Sequence, residues 1–112
     1  MLRSCFAAAI IAAAPCVTAV LPAKAAGTAA CMRELARTET SLVKTLVHLR
    51  GATQMKDDER CSIYQDHVAV VTRAREVFAR CMTGADRDTE VSQLDDALSN
   101  ANALIAQACQ AR

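Results

Sequence analysis

Between Cys61 and Cys81 the apolar and polar positions of the chain separate onto two faces of an α-helix. At about 100° per residue, Ser62, Gln65, Asp66, Ala69, Thr72, Arg73, Glu76, Ala79 and Arg80 fall within one arc of roughly 140°. Ile63, Tyr64, His67, Val68, Val70, Val71, Ala74, Val77, Phe78 and Cys81 fill the opposite arc, with Arg75 at its edge. An apolar arc this wide is too broad for one neighbour, so the stretch predicts a middle helix with a packing partner on each flank. The two cysteines fit that arrangement. They project about 160° apart around the axis and lie about 30 Å apart along it, which rules out a bond between them and directs each to a different flank.

The same period runs through the segments on either side. Met32, Leu35, Leu42, Val43, Leu46, Val47 and Leu49 give an apolar side to a first helix from roughly Thr28 to Arg50, and Gly51 is its expected stop. Ala52 to Lys56 reads as a turn. Asp57, Asp58 and Glu59 then place negative charge at the start of the middle helix, where the backbone dipole favours it, and Thr83-Gly84 closes that helix. Asp86, Asp88 and Glu90 open a third helix in the same way. Val91, Leu94, Ala97, Leu98, Ala101, Leu104, Ile105 and Ala108 line its apolar side as far as Cys109. There is no strand pattern and no internal repeat. Short connections make consecutive helices antiparallel, so the expected fold is all-α, a small up-down-up three-helix bundle. Leu42, Leu46, Val71, Phe78, Leu98 and Ile105 are its expected core.

The first 25 residues belong to a different class. Arg3 supplies a positive start, Phe6 to Leu21 is an apolar run, and Ala23-Lys24-Ala25 offers small residues where a signal peptidase reads. The segment reads as a signal peptide cleaved near Ala25, leaving a single helical domain over 26–112 in the periplasm or outside the cell. The competing reading is a retained membrane anchor, since Cys5 to Ala23 approaches spanning length. Pro15, Pro22 and the many alanines weigh against it, so no stable membrane anchor is expected after cleavage. Pro15 before Cys16 also does not suit a lipobox.

Removing that segment changes two counts. Six cysteines become four, Cys31, Cys61, Cys81 and Cys109, an even number in an oxidising compartment and therefore a disulfide framework. An up-down-up course brings Cys31 to the level of Cys81 at one end and Cys61 to the level of Cys109 at the other, so those are the expected pairs. Closing one loop of about 50 residues contributes roughly 4 kcal/mol in the chain-entropy account, and a domain this small needs such support. The charge also turns over. Eleven basic face twelve acidic side chains, a net charge of −1, which provides no electrostatic footprint for nucleic acid. With 3% aromatic residues the chain also has little with which to stack bases.

Candidate chemistry is sparse. The four cysteines lack the short Cys-x-x-Cys spacing of a zinc knuckle or an exchange catalyst, so their expected role is structural. His67 lies near the middle of the apolar arc and His48 near the end of the first helix. With Met55 in the adjoining turn they are a candidate copper or zinc site, set against the plainer reading of one histidine at a helix seam and one in solvent. Met32 and Met82 beside two of the cysteines could touch Cu(I), but thioethers in such places more often fill gaps. No serine sits in a hydrolase elbow, and the adjacent carboxylates Asp57-Asp58 and Asp95-Asp96 splay apart on their helices. Three glycines form no phosphate cradle.

The pattern therefore points to a non-catalytic exported protein without a cofactor, acting as a binding or stress-protective module whose partner is another exported protein. Metal binding through His48 and His67 is one alternative. The role of inhibitor or accessory subunit is another. If His67 is buried, its neutral form is the favoured one and acid should loosen the bundle.

Overall fold

A computed structural model describes residues 27–110. The signal segment expected over residues 1–25 lies outside the described residues. Three helices follow one another: α1, Ala29–Gly51; α2, Asp57–Cys81; and α3, Gly84–Gln110, with a 3-10 turn, Ala52–Gln54, after α1. The molecule is all-helical over these residues. No helix among them is long and apolar enough to cross a membrane.

Local chemistry accounts for the ends of the helices. The Thr28 side chain accepts a hydrogen bond from the Cys31 backbone N–H at 3.1 Å, satisfying one of the donors left free at the start of α1. His48 and Arg50 lie in the last turn of α1, and Asp57, Asp58 and Glu59 in the first turn of α2, both on the favourable side of the helix dipole. Gly51 differs from expectation. Its φ of −76° is ordinary helical backbone, and the chain continues through the 3-10 turn before Met55 becomes extended. The reversal between α1 and α2 is therefore made at Met55-Lys56. Gly84, by contrast, has φ +68°, a conformation that a side chain makes costly, and it starts α3 two residues after the extended Met82.

The middle helix holds the structure together. α2 packs against both α1 and α3, whereas no Cα of α1 comes within 8 Å of a Cα of α3. Cys31 is joined to Cys81 with a Cα–Cα distance of 5.2 Å, and Cys61 to Cys109 with 5.1 Å, so each disulfide ties one outer helix to α2 and neither ties the outer helices to each other. Ion pairs repeat that connectivity, Glu34 with Arg80 between α1 and α2, and Arg75 with Asp95 between α2 and α3.

Two apolar clusters result. Val71, Ala74, Val77, Phe78 and Leu94 gather beside the Cys31–Cys81 bond, and Ala52, Tyr64 and Ala108 gather beside Cys61. Each large side chain removed from water in this way contributes about 1.5–3 kcal/mol. On α1 the buried and half-buried stripe is narrow, running Cys31, Leu35, Thr38, Leu42, Thr45 and Leu49 with alternating steps of four and three, and Ala52 of the 3-10 turn continues it.

That narrow stripe corrects the expected core. Val71 and Phe78 are buried, Leu42, Leu98 and Ile105 are half-buried, and Leu46 is 45% exposed. Met32, Val43 and Val47, also placed on the apolar side of α1, are 65%, 62% and 58% exposed. The reason is geometric. α1 has one neighbour, so residues turned one position further round its axis meet nothing.

Candidate functional site

Because the outer helices flank α2 without closing on each other, a groove of about 650 Å³ runs between them. Leu35, Leu42, Val43 and Leu46 form its α1 wall, Leu94 and Ala97 its α3 wall, and Val71, Phe78 and His67 its floor on α2. Among the described residues its charged lining consists of Glu39 on one wall and Glu90 on the other, with Gln93 also on the α3 side. The groove is thus apolar along its length and acidic at both rims. A second depression, about 520 Å³, lies on the other side of the α1–α2 seam and includes Glu34, Arg37, Thr38, Ser41 and Arg73. Ala69, Val70, Ala74 and Val77 complete its lining, so it mixes apolar side chains with two arginines and a glutamate. The apolar groove is the better candidate, because Val43 and Leu46 extend its wall onto open surface, where large apolar side chains are otherwise disfavoured.

His67 connects the groove to the seam beneath it. Its side chain is buried, and Nδ1 lies 3.1 Å from the hydroxyl oxygen of Thr45, itself buried on α1. The pair sits between the two apolar clusters, where an unpartnered polar group would be costly. Burial holds the His67 imidazole below its ordinary pKa, since the charged ring would lose hydration. A hydroxyl beside an imidazole is also half of a nucleophile–base pair. Here both groups are buried, one on each helix, and the contact ties α1 to α2 between the two apolar clusters.

The other candidate residues are dispersed. His48 is exposed near the end of α1, and Met55 is 40% exposed in the following turn. Among the described residues no group of three or more His, Cys, Asp or Glu side chains is arranged to hold a metal ion. The four cysteines lie in the two disulfides, and Gln65 donates toward Cys109 Sγ at 3.9 Å. Met82 joins the groove beside Phe78, whereas Met32 faces solvent. On the α3 side, the Arg75 guanidinium lowers the pKa of the Asp95 carboxyl and has its own raised, both chiefly through their hydrogen bond.

Sequence periodicity did not reveal the groove. One signal was present: α1 carries a second stripe, Met32, Ala36, Glu39, Val43, Leu46 and Arg50, with the same four-three spacing as the buried one and displaced from it by one residue throughout. Two such stripes on one helix mean two faces, of which the bundle uses one. Comparisons with known proteins found no matching family model, no matching curated protein and no matching solved structure.

Proposed function

We propose that this is an exported, non-catalytic helical module, released from a signal peptide over residues 1–25, that binds protein segments in the groove between α1 and α3. The observation that carries the reading is the groove itself. Its Leu, Val and Phe lining is held open by a scaffold whose disulfides fix each outer helix to α2 rather than to the other. Apolar helical grooves of this kind suit amphipathic segments and the exposed faces of unfolding chains. His67 in the floor gives the site a link to acidity, because protonating it disfavours the closed seam with Thr45. A stress-protective role in the periplasm or outside the cell follows from combining the two.

The test uses the mature protein. Intact mass from the secreted or periplasmic fraction should begin near Ala26. Added to a chemically denatured model protein on dilution, the wild type should suppress light scattering, more strongly in mild acid than at neutral pH. Leu46→Lys, which places a cation on the groove wall, should abolish suppression while leaving helix content and both disulfides intact. Wild type without effect at either pH would overturn the reading. Recovery of a stable one-to-one complex with one exported protein would reassign the groove to a dedicated partner.

A further inference from the structure

The exposed stripe of α1 is complementary to itself, and we propose that its resting occupant is a second copy of this chain, with the two α1 helices running antiparallel over each other's grooves. This rests on the reading of the groove as a docking site for protein, and it names the partner.

Met32, Ala36, Glu39, Val43, Leu46 and Arg50 recur every three or four residues on a face that no other part of the described molecule covers. That is the spacing with which one helix packs against another as a knobs-into-holes seam. Burying Val43, 62% exposed, and Leu46, 45% exposed, against a partner removes two large exposed apolar side chains of the helix from water.

Charge decides which partner and which direction. Glu39 and Arg50 both lie on this face, both are exposed, and neither is in an ion pair among the described residues. They are equidistant from the point midway between Lys44 and Thr45, as are Val43 and Leu46. A two-fold axis through that point sets Val43 of each copy against Leu46 of the other, and Glu39 of each against Arg50 of the other. Every favourable contact occurs twice, the signature of an isologous interface. Parallel helices would instead oppose Glu39 to Glu39 and Arg50 to Arg50, so the charges select the antiparallel form. The groove agrees. Its lining includes Glu39, Val43 and Leu46 of the same stripe and, among the described residues, no Lys or Arg, so an incoming α1 covers the groove wall and brings its Arg50 to Glu39.

Sedimentation equilibrium on the disulfide-bonded mature protein tests the pairing. Wild type should have twice the mass of one chain at high micromolar concentration. Glu39→Arg alone and Arg50→Glu alone each oppose like charges twice, and each should raise the dimer dissociation constant by about tenfold or more. The double variant Glu39→Arg with Arg50→Glu should return the constant to near the wild-type value. Both residues are exposed, so circular dichroism should show all three variants folded. A monomeric wild type overturns the proposal and leaves the groove to a helix from another protein. A dimer indifferent to both charge reversals also overturns it, because that dimer uses another surface. Scattering suppression by a monomer would leave the client-binding reading intact, and a charge-sensitive dimer without suppression would leave the pairing intact, so the two ideas fail separately.

Discussion

His67 is 4% exposed and bonded to Thr45, and its burial disfavours the charged ring. Its pKa in the folded protein is lowered by burial, whereas in the unfolded chain it takes a proton near pH 6.5. The stability that its neutral form contributes is therefore complete above about pH 6.5 and declines as the pH falls from there to the lower folded value. Glu39 on α1 and Glu90 on α3 are the carboxylates lining the same groove, and burial alone accounts for the lowered His67 pKa. Urea unfolding at about pH 7.5 and about pH 5 should show His67→Gln losing less stability between the two than wild type does. Equal losses would remove His67 as the source of acid sensitivity. Phe78 belongs to the adjoining apolar cluster at 5% exposure, with Val71, Ala74 and Leu94. Phe78→Ala should cost about 3–5 kcal/mol, since the transfer loss is joined by a cavity that disulfide-tethered helices cannot readily collapse. A change below about 1 kcal/mol would mean that Phe78 is not part of the packed core.

At the scale of the element, each helix is specified by its ends as much as by its faces. Thr28 caps α1 within three residues of Cys31, so the cap also helps to present the cysteine to Cys81. Thr28→Ala should cost about 0.5–2 kcal/mol in thermal or urea unfolding, and the same change at Thr40, exposed and bonded only to the Ala36 carbonyl, should cost far less. Gly84 stands where α2 gives way to α3 with φ +68°. Gly84→Ala should destabilise by about 1–2 kcal/mol even though open space surrounds the position, because the strain is in the backbone and not in a clash. Gly51 looked like the equivalent signal for α1 and is not one. A glycine tolerates positive φ without requiring it, and only the onward path of the chain decides which glycine uses it.

For the whole molecule, the two crosslinks determine what the fold can do. Peptide mapping without reduction should recover Cys31 with Cys81 and Cys61 with Cys109. Removing either bond, as Cys31→Ser with Cys81→Ser or as Cys61→Ser with Cys109→Ser, should lower stability by about 2–4 kcal/mol, because each closes a loop spanning 50 or 48 residues. A linkage of Cys61 to Cys81 would be incompatible with an intact α2. Since both bonds end on α2, they stabilise the molecule without drawing α1 and α3 together, and the groove persists in a fully crosslinked protein. A bundle with the same helices and a bond between its outer members would have lost that surface to its own core.

How much of this was legible in the sequence follows from the range of each interaction. Periodicity, end signals and cysteine spacing are written in the order of residues, so the number of helices, the two-sided role of α2 and the levels at which the cysteines stand could all be read from them. His67 at the seam was legible too, because its place on the wheel of α2 lies among Tyr64, Val71 and Ala74. The hydrogen-bond partner, Thr45, was not, since nothing local relates residues 22 positions apart on two helices. Nor was the fate of Met32, Val43, Leu46 and Val47. Hydrophobicity states what a side chain would gain by leaving water, but whether it leaves depends on a neighbour being close enough to cover it. The width of α2 and the attachment of both disulfides to it keep α1 and α3 apart. That separation, a property of three helices at once, turns an apparent core face into the wall of a groove.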